Sequence, residues 1–323
     1  MDLNKFEDDE QVVKCLKEQI DNIHTLDECR LHKEEQYQTS EEVLWFRNCI
    51  EWVIRINEVI VNIKYALKKC LEFAEAILWP LEETENKRLY SYYLEDAAYR
   101  NIVLWDMFKQ LLNEFYKCGY SEKSGIKIFK FLENSETKIG EVKVKRILEY
   151  LNSSNHQMVR NNLRHSFTHS VDPTSPYVFH RLIDGKIEPQ SDYIFPNHPY
   201  ENINYIIMDV IQLIEFISEV TDEMYEYRNT NTIIIEVLYT MPCGKVIDGS
   251  TCWNIKVLKG NLEKIVVPCE TSCDKRNVYK QVYVCKPIKI HYRRIHSQQG
   301  EIIGTLTPKM TFAELVEKYG FNK

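Results

Sequence analysis

The hydrophobic residues of this chain change their spacing once, near residue 230, and that change limits the folds open to it. Before this point apolar side chains recur every three or four residues, as in amphipathic helices. After Asn229-Thr230-Asn231 the chain consists of short β-branched and aromatic runs separated by turn residues. We therefore predict a mainly α protein, with a helical bundle followed by a small antiparallel β-rich C-terminal domain.

The expected domains are an N-terminal helix within residues 1–38, a helical bundle over 39–229 and a β-rich domain over 230–323. A capping box at Thr39-Ser40-Glu41-Glu42, a breaker at Pro80 and a terminating Gly119 set the helix limits. The predicted helices are 12–26, 40–79, 85–118, 121–133, 141–151, 155–171 and 201–227. The predicted strands are 233–239, 252–258, 265–268, 278–285 and 288–295, followed by a short helix over 311–320. The aromatic residues expected in the bundle core are Trp45, Trp52, Phe73, Tyr93, Trp105 and Phe115.

One segment, 160–169, concentrates side chains suited to phosphate binding and proton transfer. It holds two guanidiniums, two imidazoles and two carboxamides within ten residues. Unless its backbone is irregular, it reads as helix, because apolar residues recur every fourth position from Val159 to Val171. At about 100° per residue, Arg160 lies on one flank and His165 towards the opposite side. Paired guanidiniums can bind a phosphate and an imidazole can move a proton, which metal-free phosphodiester cleavage requires.

The pattern Arg160-Asn161-x-x-x-His165 resembles the Arg-x4-6-His signature of the HEPN superfamily, in which a polar residue commonly follows the Arg. The aromatic-rich helix over 92–106 is similar to that of the Cthe2314-like branch, and the resemblance extends over about 40–227. It implies a HEPN-like helical bundle that forms a homodimer and brings two motifs together in a cleft that cleaves RNA without a metal or other cofactor. Members of the superfamily include toxins of toxin-antitoxin systems and antiviral defence effectors.

The resemblance also implies roles for three residues. Arg160 would orient and neutralise the scissile phosphate, and His165 would act as general base or acid for attack by the ribose 2′-hydroxyl, leaving a 2′,3′-cyclic phosphate. Asn161 would be the polar support beside them. A second register, Arg164 with His169, fits the same spacing; we favour the first because Asn follows its Arg.

Two other classes of function fit the same residues. Many HEPN domains are inactive and serve as RNA- or protein-binding modules, and a helical scaffold would use the same face only as a solvated surface or a subunit contact. RNA binding that weakens steeply with added salt would favour the RNA hypotheses over the scaffold.

The residues after the motif, 173–199, contain five prolines and no sustained periodicity, which predicts a long loop. This loop either folds over the cleft and shapes substrate access or wraps the bundle as structural cover. The side chains expected to reach the cleft in the first case are Tyr177, Phe179, His180, Arg181, Tyr193 and His198.

Charge is distributed unevenly along the chain. Residues 241–323 carry fourteen Lys and Arg against seven Asp and Glu, so residues 1–240 hold a net charge of −14 within the total of −7. The basic region interleaves cations with aromatic rings, a combination suited to RNA. The alternative is a soluble strand pair whose lysines guard a sheet edge. The candidate RNA-binding residues are Lys280, Lys286, Lys289, His291, Tyr292, Arg293 and Arg294.

Composition excludes several other classes. The sequence has no glycine-rich phosphate loop, no paired-carboxylate metal motif and no Gly-x-Ser-x-Gly elbow, so NTP-driven, Rossmann-type and α/β-hydrolase enzymes are not expected.

The acidic N-terminus lacks an apolar signal region and the most apolar stretch, 50–67, is interrupted by charges, so we expect a cytoplasmic protein that does not span a membrane. The cysteines are expected to be reduced. A zinc site on Cys269 and Cys273, completed by Cys243, Cys252 or His291, is the less favoured alternative. The expected partners are the RNA substrate, a second copy of the chain and an antitoxin or activator.

Overall fold

The computed structural model describes most of the first 240 residues and separate strands beyond them. The described residues are 9–28, 31, 41–77, 84–121, 125–169, 172–175, 180–183, 186–189, 197–240, 246–254, 267–268, 277–279, 282–285, 289–296 and 302–305. The protein is mainly helical, as predicted. Within these residues no helix is both long enough and apolar enough to cross a membrane.

The described helices fall into two length classes, three of more than thirty residues and several short ones. In chain order they are α1 (Asp9–Asp21), α2 (Glu41–Ala74), α3 (Glu85–Phe115), α4 (Ile128–Ile139), α5 (Glu141–Leu151), α6 (Ser154–Gln157), a π-helical segment (Met158–Arg164), α7 (His165–His169) and α8 (Pro199–Asn231). Local signals explain the boundaries: Thr84 caps α3 by accepting from the Lys87 N–H, and Gly140, with φ of +102°, separates α4 from α5.

The chain divides into two compact units, Met1–Leu26 with Trp52–Val220 and Asp27–Glu51 with Thr221–Lys323. In the first unit the apolar faces of the helices meet in a continuous core, with side chains such as Ile56, Ile63, Phe108 and Ile206 at 0 % exposure. This is the helical bundle that the three- and four-residue spacing of the apolar side chains predicts. The predicted domain boundaries at 38/39 and 229/230 stay predictions.

The N-terminal helix α1 packs on α2 and is tied to it by polar contacts. Asn57 on α2 accepts from the Leu26 N–H at 2.8 Å and donates to the Leu26 carbonyl at 3.0 Å. Lys64 donates to the carbonyls of Asp21 and Ile23, where a cation offsets the negative end of the helix dipole. Residues 9–26 are therefore an integral layer of this unit.

In the second unit the start of α2 and the end of α8 meet through aromatic rings. Trp45 lies edge-on to Tyr227 at 5.2 Å, and Phe46 stacks on the same ring at 6.1 Å. The strands are β3 (Thr232–Thr240), β4 (Val246–Asn254), β5 (Val267–Pro268), β6 (Asn277–Tyr279), β7 (Val282–Cys285), β8 (Lys289–His296) and β9 (Ile302–Thr305).

These strands pair in two antiparallel sheets with the orders β4-β3-β8-β9 and β5-β7-β6. Strand β8 lies between β3 and β9, so it is not an edge strand. Its pairing with β3 shifts register between Glu236 and Val237, which leaves Arg293 as the extra residue of a β-bulge.

Several predictions of local structure were wrong. The helix predicted over 121–133 is α4 at Ile128–Ile139, and the strand predicted over 252–258 is β4 at Val246–Asn254. The segment 173–199 is not loop throughout, because β1 (His180–Ile183) and β2 (Lys186–Pro189) form an antiparallel hairpin. The intervening Asp184-Gly185 is a strong hairpin signal that the proline count obscured. Strand β9 was not predicted. Of the six aromatics expected in the core only Trp105 is buried; the other five are half-buried, because they lie where helices meet the surface. The predicted helix over 311–320 lies outside the described residues.

Candidate active site

The candidate motif lies on a helix that changes its hydrogen-bonding pattern within the motif. We call residues 154–169 the motif helix: α6, the π-helical segment and α7 in succession. Ser153 caps its start by accepting from the His156 N–H. Val159 and Leu163 face the core at 0 % and 1 % exposure, as the apolar stripe predicts, whereas Phe167 is only half-buried.

The π-helical turn alters the relative position of the two motif residues. In an α-helix residues five apart are about 140° apart around the axis, which is the arrangement that the sequence predicts. Here the His165 N–H donates to the Arg160 carbonyl, the i→i−5 bond of a π-helix, so His165 lies one turn above Arg160. The expectation that Arg160 and His165 occupy opposite flanks was therefore wrong.

The side chains of the first register have different environments. Arg160 is half-buried, and its guanidinium lies 5.5 Å from the centre of the Phe129 ring on α4, a cation–π contact. His165 is exposed to solvent. Asn161 is also exposed and donates from its amide to Gln157 Oε1 one turn earlier. A phosphate or hydroxyl arriving from solvent can therefore reach the imidazole directly.

The second register is less well defined by the described residues. Arg164 is half-buried at the end of the π-helical segment, and His169 is the last residue of α7, where the helix has returned to α geometry. Arg164 and His169 therefore do not fall together within the π-helical turn, although they have the same spacing in sequence.

The first turn of the motif helix is anchored by a buried carboxylate on α8. Asp209, at 0 % exposure, accepts from Asn101 Nδ2 at 2.6 Å and Trp105 Nε1 at 2.9 Å through Oδ2, and its Oδ1 lies 3.0 Å from His156 Nδ1. His156 is itself only 2 % exposed, and its ring lies edge-on to Trp105 at 5.0 Å. Burial, reinforced by the charge of Asp209, raises the pKa of the nearby Tyr150 phenol.

The chain leaving the motif helix is anchored at a different level of α3. Asp172 accepts from the Ser91 hydroxyl at 3.2 Å, and Thr174 donates its hydroxyl to Ser91 at 3.2 Å. Since His156 contacts Trp105 and Asp172 contacts Ser91, the motif helix runs antiparallel to α3.

The end of the segment 173–199 contacts Tyr90, the residue of α3 that precedes Ser91. Tyr90 donates its hydroxyl to the Pro199 carbonyl at 3.4 Å and accepts from Asn202 Nδ2 at 3.3 Å. His198, directly before Pro199, has its ring centre 4.9 Å from that of Tyr200. His180 and Arg181 lie on β1, while Tyr177, Phe179 and Tyr193 lie outside the described residues.

The sequence-based reasoning missed His156 and Asp209. A usable signal was present, because Asp209 occupies a core position in the apolar repeat of α8 that includes Ile206, Leu213 and Phe216. A carboxylate in such a position requires donors from elsewhere in the fold.

The candidate RNA-binding residues belong to the second unit. Lys289, His291, Tyr292, Arg293 and Arg294 all lie on β8, whereas Lys280 and Lys286 lie outside the described residues. Of the residues considered for zinc, Cys252 and His291 lie on strands, and Cys243, Cys269 and Cys273 are outside the described part. Among the described residues no group of three or more His, Cys, Asp or Glu could hold a metal.

Comparison with protein-family models identifies residues 45–229 as a HEPN domain. The matching model is that of the Cthe2314-like HEPN family, and since the match covers more than half of the chain, the protein belongs to this family. This confirms both the superfamily and the branch that the sequence resembles. No curated protein and no solved structure matches the chain.

Proposed function

We propose that this protein is a metal-independent endoribonuclease of the HEPN type. Arg160 binds the scissile phosphate, and His165 removes the proton from the ribose 2′-hydroxyl or protonates the leaving 5′-oxygen. The 2′-oxygen attacks the phosphorus, the P–O5′ bond breaks, and the products carry a 2′,3′-cyclic phosphate and a 5′-hydroxyl. Guanidinium binding and general acid–base catalysis are each worth several orders of magnitude in rate.

The observation that carries this proposal is the π-helical turn joining Arg160 to His165. It places a cationic fork and an exposed imidazole in successive turns, on the surface of a domain whose superfamily includes ribonucleases. The same observation favours the first register over Arg164 with His169. Asn161 supports the site because its amide donates to Gln157 Oε1, which stabilises the helical turn that carries Arg160.

The wider assembly is part of the same proposal. Two copies of the chain would associate as a homodimer and contribute one motif each to a shared cleft, as the family implies. Residues 230–323 would form a β-rich domain that binds the RNA. The internal position of β8 supports this, because lysines and arginines that guard a sheet edge would be on an outer strand. Such a nuclease would act in a toxin-antitoxin or antiviral defence setting, restrained by an antitoxin or activated by a ligand.

The test is cleavage of RNA by the purified full chain in excess EDTA, using total RNA and tRNA and identifying the product ends. The variants are Arg160→Ala, His165→Ala and His169→Ala, with Asn162→Ala as a control because Asn162 is an exposed residue of the same helix. A substrate with a 2′-deoxyribose at the mapped cleavage position tests whether the 2′-hydroxyl is the nucleophile.

The expected result is cyclic-phosphate ends in EDTA, lost in Arg160→Ala and His165→Ala but kept in His169→Ala and Asn162→Ala. Cleavage that persists in the first two variants, or on the 2′-deoxy substrate, would overturn the mechanism. RNA binding without cleavage, also after addition of host extract as a source of activator, would establish the competing function of a non-catalytic binding module.

A further inference from the structure

We propose that Asp209 is a positioning residue for the active site: through His156 it fixes the rotation and axial position of the motif helix, and so the place at which Arg160 and His165 meet RNA. This inference rests on the proposed nuclease function. Asp209 does not touch substrate in this scheme. It acts from the core, one helix away from the motif, and nothing in the family match assigns it a role.

The hydrogen bonds around Asp209 define which atoms hold the helix. Asn101 Nδ2 and Trp105 Nε1 can only donate, and both converge on Oδ2. Oδ1 is left for His156 Nδ1, 3.0 Å away, and because a carboxylate oxygen can only accept, the imidazole donates from Nδ1. The carboxylate thus ties α3, α8 and the motif helix together at one buried point, where Asp209 is 0 % exposed.

His156 transmits this anchor to the motif. It lies four residues before Arg160, one helical turn, and two residues before the first residue of the π-helical segment. A π-helical turn has poorer hydrogen-bond geometry than an α-helix and persists where its surroundings impose it. The Asp209–His156 contact before the turn and the Asp172–Ser91 contact after the helix are positioned to impose it from both ends.

The test uses Asp209→Asn, which keeps the shape of the side chain. Its single carbonyl oxygen must serve Asn101 and Trp105, so its NH2 group faces His156 Nδ1, which must then accept. The matched control is Tyr90→Phe, because Tyr90 is equally buried and its hydroxyl also links α3 to α8, but it does not reach the motif helix.

Three measurements on the full chain separate positioning from simple loss of stability. They are kcat and KM for RNA cleavage well below the unfolding temperature, amide hydrogen exchange of residues 158–165 against residues 56–70, and ¹⁵N chemical shifts of the His156 ring, assigned with His156→Gln. For Asp209→Asn we expect kcat to fall by about 10- to 100-fold, with KM within about twofold. Exchange should accelerate more in 158–165 than in 56–70, and the proton should leave His156 Nδ1. Tyr90→Phe should leave kcat, the ratio of exchange rates between these two segments and the His156 shifts unchanged.

The proposal is overturned if Asp209→Asn leaves both kcat and exchange in 158–165 unchanged, or if Tyr90→Phe lowers kcat and accelerates that exchange to the same extent. If the wild-type chain cleaves no RNA, the nuclease function fails by itself. Hydrogen exchange and the His156 shifts then still decide whether Asp209 positions the motif helix.

Discussion

The backbone N–H of His165 donates to the carbonyl oxygen of Arg160, so the two residues paired in the motif are also joined by the main chain. This bond spans five residues, which is the spacing of the motif itself. The π-helical turn therefore matches backbone geometry to side-chain spacing. Short π-helical insertions are frequent at functional sites, where the loss in hydrogen-bond quality is offset by the position gained.

Replacing Arg160 by lysine tests whether geometry or charge matters at the phosphate. Lysine keeps the positive charge but lacks the planar guanidinium, which can bind two phosphate oxygens at once and whose centre lies 5.5 Å from that of the Phe129 ring. We expect Arg160→Lys to retain RNA binding and its salt dependence while losing cleavage by at least about tenfold. Arg164→Lys is the control and should retain cleavage; equal losses in both variants would favour a shared basic face over a single working register.

The salt dependence of RNA binding tests the proposed phosphate contacts of β8. For single-stranded RNA each contact adds about 0.7 to the slope of log K against log salt. Combining Lys289→Ala, Arg293→Ala and Arg294→Ala should therefore reduce the slope by about 2.

The matched control for that experiment removes three lysines from the helical unit. Lys17, Lys68 and Lys69 are ion-paired with Glu75, Asp21 and Glu72, so their replacement by alanine should leave the slope unchanged. Equal slope changes in both triple variants would show that only net charge, and not β8, matters for RNA.

Asn57 should contribute measurably to stability because it satisfies both main-chain groups of Leu26. Asn57→Ala leaves a partly buried N–H and C=O without these partners, and we expect the free energy of unfolding to fall by about 1–3 kcal/mol. Asn62→Ala, on the exposed side of the same helix, should change it by less than about 0.5 kcal/mol. Urea unfolding followed by circular dichroism measures both; similar values would mean that α1 adds little to the bundle.

The protein should lose stability at alkaline pH faster than its surface charges alone would cause. Burial raises the pKa of the Cys70 thiol and the Tyr90 phenol well above their ordinary values of 9.0 and 10.0. Above those ordinary values the unfolded chain releases protons that the folded chain retains, so stability falls as pH rises. Each group contributes up to about 1.4 kcal/mol per pH unit.

Urea unfolding between about pH 8 and 11 tests this effect. Tyr90→Phe removes one of the two buried groups and should make the decline shallower, even though the variant is less stable at neutral pH. Tyr92→Phe, at a residue 62 % exposed, is the control and should follow the wild-type curve. A Tyr90→Phe decline as steep as that of the wild type would contradict the assignment.

Helices were predicted well wherever a long amphipathic pattern met a clear start or stop signal. The helix over 141–151 has the predicted limits, and α3 begins at Glu85 as its capping sequence indicates. The motif helix was predicted at the right place in the chain, but its π-helical turn was not predicted. Its apolar residues recur every fourth position, which drifts by about 40° per repeat on an α-helix. A wider turn reduces that drift, so the signal was present but does not by itself specify the turn.

The partners of Asp209 could not be derived from the sequence, although its core position in α8 could, and the reason is different. Its donors are 53, 104 and 108 residues away along the chain, and only tertiary packing brings them together. Carboxylates are seldom buried, so an Asp within an apolar run is assigned to the surface by default. The chemistry of the motif is visible locally, whereas what holds it in position depends on contacts across the fold.

The segment between the motif helix and α8 is hydrogen-bonded to α3 at both ends, to Ser91 through Asp172 and to Tyr90 through Pro199. Because its two ends contact consecutive residues of α3, they stay close together whatever the length of the chain between them. Inserting or exchanging a segment there changes the closure entropy only by about 0.6 kcal/mol for each doubling of length. A longer or different segment can therefore be grafted at this position while its two ends stay attached to α3.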